Sequence, residues 1–98
     1  MGKQFLDQYS LLHTATGIVS YFWGFSFIAS LVLHTLFEWL ENTTVGIRFI
    51  NETLAGIWPG GKPEPDAMIN RVGDTIVFAL GWYMAYKLDD YGTKQGWY

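Results

Sequence analysis

The sequence predicts an all-α chain folded as a transmembrane helical hairpin, two spans with a short amphipathic helix and a Pro/Gly turn between them. Three observations carry that expectation. Residues 11–37 contain no Asp, Glu, Lys or Arg, and a helix needs about 20 apolar residues to cross a bilayer. A second uncharged stretch, TIVFALGWYMAY at residues 75–86, lies inside a longer helical pattern. The charges are segregated into residues 3–7, 38–74 and 87–94. Only 15% of the chain is charged and 18% is aromatic, against about 25% charged in an ordinary globular protein.

The first helix is expected over residues 9–42, with residues 21–40 as its membrane part. Its polar members are mostly Ser, Thr and His, and Gly17 and Gly24 are small positions suited to close helix packing. Residues 43–58, TTVGIRFINETLAGIW, repeat apolar side chains at helical spacing through Val45, Phe49, Ile50, Leu54 and Ile57. Arg48 and Glu52 stand four apart on the other side, where they can pair. This is the amphipathic helix, lying at the interface or packing on the spans. Three prolines and two glycines then break the chain, giving a turn over residues 59–65. Asp66 is the expected N-cap of the last helix, which runs over residues 66–89 as the second span. Residues 90–98 form a polar, aromatic tail. Both termini then lie on one side, and the Lys/Arg count is balanced between the two sides, so orientation is open.

Ninety-eight residues allow a single domain. A net charge of −3 argues against a nucleic-acid partner. No cysteine is present, which excludes disulfides and thiolate chemistry. The N-terminal segment does not read as a cleaved signal peptide or a myristoylation site. The glycine pair of WPGGKP lacks the Lys-Ser/Thr ending of a phosphate loop. Neither glycosylation sequon, at Asn42 or Asn51, is expected to be used. No cofactor is implied.

The polar residues fall in stripes. His34, Glu38, Glu41 and Asn42 share one face of the first helix, and Asp66, Asn70 and Asp74 share one face of the last. In an antiparallel hairpin these stripes meet at one depth, near the bend. A charge at the bilayer centre costs about 2.5–3.5 kcal/mol, so the stripes should face each other, with Arg71 or Arg48 as further partners. The structural reading is an interhelical polar lock. The functional reading makes His34, Glu38 and Asp74 metal ligands or an acid–base set. His13 reads as a packing or interface residue. Trp58, Trp82, Tyr86 and Trp97 read as headgroup-level anchors.

HTLFEWLEN, followed by FINETLAGIWPGGKPEPDAMINRVGDTIVFALGW, resembles small membrane proteins of large nucleocytoplasmic DNA viruses, relatives of the chlorella viruses and mimiviruses. The likeness covers roughly residues 30–90. More distantly, Glu38 followed by Asp66, Asn70, Gly73 and Gly81 is similar to the VanZ-like pattern. The viral resemblance implies a structural protein of a virion inner membrane, or a minor capsid protein that anchors the bilayer. Its partners would be the bilayer itself, capsid or membrane proteins, or further copies of the chain. The VanZ-like resemblance implies a small membrane enzyme or metal-binding protein using His34, Glu38 and Asp74.

Overall fold

The computed structural model describes residues 2–54, 56–57 and 64–97. Four helices make up the described chain: α1 Ser10–Phe22, α2 Phe27–Glu41, α3 Thr44–Thr53 and α4 Met68–Lys94. No strand occurs among the described residues, and the all-α expectation holds.

The long first helix is instead two helices. Gly24 adopts a φ of 90°, a left-handed conformation that costs a residue with a Cβ about 1–2 kcal/mol. The Gly24 N–H donates to the Tyr21 carbonyl at 3.0 Å, and the Phe25 N–H donates to the Ser20 carbonyl at 3.1 Å. This paired closure is a Schellman motif. Ser26 then caps α2, its side chain accepting from the Ala29 N–H at 3.1 Å. The chain reverses at residues 23–26, and α1 and α2 become antiparallel partners.

This break removes the predicted first span. With 13 and 15 residues, α1 and α2 rise about 20 and 22 Å, short of an about 30 Å hydrocarbon core. The 27 residues of α4 are long enough, but Arg71, Asp74, Lys87, Asp89 and Asp90 interrupt its apolar run. Among the described residues no helix is long and apolar enough to cross a membrane.

Packing sets the helix directions. Gly17 of α1 lies against the backbone of Phe78 and Trp82, and Gly81 of α4 lies against Thr14. A Cβ at either glycine would meet a carbonyl oxygen at 2.1 Å, so these two positions let the helix backbones touch. Further down, the Ala67 N–H donates to the Gly2 carbonyl at 2.6 Å. Further up, the Tyr21 hydroxyl donates to Asp89 Oδ2 at 2.5 Å. Chain positions rise together along both helices, so α1 and α4 are parallel and α2 runs against them. The N-terminal segment therefore packs at the start of α4, and the described termini, Gly2 and Trp97, lie at opposite ends of the bundle, not on one side.

At the lower end Thr43 caps α3, accepting from the Gly46 N–H at 3.0 Å. The amphipathic helix is present but shorter than expected. Ile47 and Ile50 are its buried residues, while Val45 and Phe49 face outward. Arg48 and Glu52 pair at 3.6 Å on the exposed side, as their spacing predicts. Trp58 and most of the Pro/Gly turn lie outside the described residues. The last helix starts two residues later than expected, with Ala67 in the N-cap position and no side-chain cap. It also continues through much of the predicted tail, where Lys94 and Asp90 pair at 3.0 Å. That carboxylate, one turn earlier, holds the exposed Lys94 ammonium above its usual range.

The interior is mainly polar. Among the described residues the buried hydrophobic ones are Ile47, Ile50, Phe78 and Ala85, against eight buried polar or charged ones: Ser10, Ser30, His34, Glu38, Asn42, Asp66, Asn70 and Asp74. Large apolar side chains stand outside. Leu11, Ile28, Val32, Leu36, Trp39 and Leu80 all keep more than half of their surface exposed. A water-soluble chain normally buries such residues and exposes the polar ones.

Candidate functional site

Three helices bring their polar residues to one depth. From α2 come His34 and Glu38, one turn apart, with Glu41 and Asn42 following. From α4 come Asn70 and Asp74, with Asp66 just before the helix. From α1 comes His13, a packing or interface residue by sequence alone and here part of the cluster.

His13 is the hub. Its Nε2 lies 3.2 Å from Asp74 Oδ2, and its Nδ1 lies 3.0 Å from His34 Nε2. Glu38 Oε1 completes the group, 3.8 Å from His13 Nδ1 and 3.9 Å from His34 Nε2. The two imidazoles meet edge to face, their centroids 5.2 Å apart. The back of His34 stacks on Phe78 at 4.3 Å. Phe78 thus fixes the His34 ring plane while the ring edge faces the cluster.

Asn42 and Asn70 support this centre without joining it. Asn42 Nδ2 donates to the Glu38 carbonyl at 2.7 Å and to Glu38 Oε2 at 3.2 Å. Its Oδ1 accepts from the Asp66 N–H at 2.7 Å. Asn42 therefore orients Glu38 and ties the end of α2 to the entry of α4. Asn70 turns instead to the N-terminal segment, donating to the Gln4 carbonyl at 2.7 Å and to Asp7 Oδ2 at 3.3 Å. Glu41 is half-buried beside Glu38.

Neither arginine reaches the carboxylates of the cluster as expected. Arg71 Nε donates to the Asp66 carbonyl at 3.2 Å, and Arg48 pairs outward with Glu52. A histidine, not an arginine, faces Asp74. The expected ligand trio of His34, Glu38 and Asp74 is redistributed as well. The atoms converge as two sets that share Glu38, one being His13, His34 and Glu38, the other Glu38, Asp66 and Asp74. Within each set the ligand atoms lie within 4.8 Å of one another.

Several buried atoms here have no hydrogen-bond partner: Glu38 Oε1, Asp74 Oδ1, His34 Nδ1 and Ser30 Oγ. Leaving a buried polar group unsatisfied costs about 1–3 kcal/mol, more for a charged one. Two adjacent buried carboxylates also repel unless a proton or a cation lies between them. The arrangement can do two things chemically. It can pass protons along Asp74, His13 and His34, and it can hold a cation in front of Glu38.

The aromatic residues read as anchors have varied surroundings. Trp82 packs inward, its Nε1 donating to the Phe25 carbonyl at 3.1 Å and its ring stacked on Tyr86 at 5.7 Å. Tyr86 is exposed on its outer side, and Trp97 is exposed with its edge against Tyr91. No known family model matches this chain, and no curated protein or solved structure is significantly similar to it.

Proposed function

We propose that this chain is an integral membrane protein with a structural role. One observation carries the reading: the polarity of the bundle is inverted, with carboxylates, imidazoles and amides inside and Leu, Ile, Val and Trp outside. In water such an exterior is an association hazard. Against acyl chains it is the favourable arrangement, because polar groups in lipid gain by turning to each other. Lipid contact in this reading belongs to the outer faces of a helix cluster, since no single described helix is long and apolar enough to cross. The viral resemblance extends the proposal to a virion inner membrane, or to a minor capsid protein that ties a bilayer to its shell.

A second reading is favoured by the buried atoms without partners. Glu38 Oε1 faces two imidazoles, and Asp74 Oδ1 is buried without a partner on the far oxygen of the carboxylate that meets His13. A purely structural lock would need a proton held between the two carboxyl groups. A small membrane enzyme of the VanZ-like kind, or a metal-binding protein, would keep them for a ligand.

Alkaline carbonate extraction of membranes from cells making the full chain tests the first reading. The protein should stay in the pellet and enter the supernatant only with detergent. Release by carbonate alone would overturn it. Copy number separates the two roles, because a structural component of a particle is present in many copies at fixed stoichiometry.

A further inference from the structure

We propose that His13 Nδ1, His34 Nε2 and Glu38 Oε1 bind one divalent transition-metal ion of the zinc(II) type, with Asp74 positioning His13 and one coordination position left open. This deepens the metal-binding reading above and stands or falls separately from the membrane one.

The first support is metric. The three atoms form a triangle with sides of 3.0, 3.8 and 3.9 Å. The point equidistant from them lies about 2.1 Å from each, within the about 2.0–2.2 Å range of zinc bonds to histidine nitrogen and carboxylate oxygen. That point is in the plane of the triangle, so three protein ligands surround the ion at its waist. A fourth ligand would approach from the side. Two histidines and a glutamate with an open position is a donor set found in catalytic zinc sites.

The second support is the state of Glu38 Oε1. The Glu38 side chain is 6% exposed, yet as a carboxylate oxygen Oε1 has no donor to accept from, and its other neighbours are the Asp74 and Glu41 carboxyl groups. It points at two imidazole nitrogens from distances too long for a hydrogen bond. The other oxygen of the same carboxylate is held by Asn42. One oxygen is thus fixed and its neighbour is left facing the imidazole nitrogens.

The third support is the surroundings of His13. Asp74 Oδ2 at 3.2 Å favours a proton on His13 Nε2, which leaves Nδ1 as an acceptor, met by His34 Nε2 at 3.0 Å in a contact that the ion would replace. A carboxylate behind a ligating histidine fixes its tautomer and raises its basicity. For His34 the ligating tautomer carries its proton on Nδ1. That nitrogen is buried and has no hydrogen-bond partner. Two imidazoles select a borderline-soft ion over magnesium or calcium. The other set, Glu38, Asp66 and Asp74, is all oxygen and would select the reverse.

The test is metal binding by the full chain, purified in detergent and stripped with chelator, using Zn2+ in competition with a chromophoric chelator. One ion per chain is expected, with Zn2+ far preferred over Mg2+ and Ca2+. His13→Ala, His34→Ala and Glu38→Gln should each weaken binding by about 100-fold or more, and Asp74→Asn by about 10- to 100-fold. Asp66→Asn should stay within about threefold of the unaltered chain. Circular dichroism checks that each variant is helical. Should any ligand variant unfold, Cu2+ bound to the unaltered chain should show two imidazole nitrogens by pulsed electron paramagnetic resonance. The proposal is overturned by no Zn2+ binding, by preference for Mg2+ or Ca2+, by fewer than two imidazole couplings, or by loss of binding in Asp66→Asn. A chain that carbonate releases and that still binds Zn2+ would sink the membrane reading and leave this one standing.

Discussion

His13 on α1 and Asp74 on α4 meet at 3.2 Å, and this contact joins two parallel helices across the most buried part of the bundle. The Asp74 side chain is 3% exposed and that of His13 is 16% exposed, so water does not replace either partner when the other is removed. Deleting one member of a buried hydrogen bond to a charged group costs about 1.5–3 kcal/mol. Asp74→Ala should therefore lower the unfolding free energy in detergent by that order. The His13→Ala, Asp74→Ala double variant should lose clearly less than the sum of the singles. Denaturant unfolding followed by circular dichroism reads both values, and additive losses would show that the contact carries no coupling.

Glu38 should behave in the opposite sense. Its carboxylate lies close to those of Asp74 and Asp66, and one of its oxygens has no hydrogen-bond partner. Replacing it by the neutral isostere removes repulsion while keeping an oxygen for Asn42 to donate to. In metal-free protein, Glu38→Gln should be neutral or stabilising by about 1 kcal/mol. Added Zn2+ should stabilise the unaltered chain and leave the variant unmoved. A large metal-free loss in Glu38→Gln would show that the charge itself is structural.

How much of this was legible in the sequence depends on one residue. The helical character and the Arg48–Glu52 pair follow from spacing alone, and the meeting of the polar faces of α2 and α4 follows from spacing together with antiparallel packing. The hairpin break does not follow from hydropathy, because WGFS at residues 23–26 is as greasy as its surroundings. The signal was chemical: a Gly able to take φ of 90° followed two residues later by a Ser able to cap. Reading that pair as a Schellman turn and a new N-cap would have placed His13 as well. Gly24 lies eleven residues after His13 and ten before His34, so folding the chain there sets the two histidines at one depth. The Asp66 cap failed for a different reason. Its N–H and its flank were claimed by Asn42 and the N-terminal segment, which no local pattern announces.

The two interior glycines of the α1–α4 seam should be intolerant. A methyl group at Gly17 would sit 2.1 Å from the Phe78 carbonyl oxygen, and one at Gly81 would sit 2.1 Å from that of Thr14. Backbone cannot rotate aside as a side chain can, so the helices must separate. Gly17→Ala and Gly81→Ala should each destabilise by about 1–3 kcal/mol, read as a lowered midpoint in denaturant. An unchanged midpoint in both would mean that the helices do not touch at these points.

Gly24 should fail differently. Nothing lies within 4 Å of a Cβ placed there, so the penalty of Gly24→Ala is conformational only, about 1–2 kcal/mol. The alternative available to the variant is a continuous helix through residues 23–26, which would pull His13 away from His34. Spin labels at Leu12 and Leu33, both exposed, report the geometry directly. In the unaltered chain their separation should match two antiparallel helices side by side. A population at the far longer separation of one straight helix should appear in Gly24→Ala, and its presence in the unaltered chain would refute the hairpin.

The outer face offers the sharpest test of where the bundle resides. Val32 and Leu36 lie one turn apart on α2, each 53% exposed, away from the polar centre. In water, a lysine at either site should be harmless or should improve solubility. In a bilayer it must desolvate or snorkel, at a cost of up to about 2.5–3.5 kcal/mol near the centre. If the face is in lipid, Val32→Lys and Leu36→Lys should retain helicity in detergent yet lose reconstitution into phosphatidylcholine vesicles, measured by co-flotation. The double variant should be worse than either single. Equal flotation of all four proteins would place this face against something other than lipid, and a partner protein would then have to cover it.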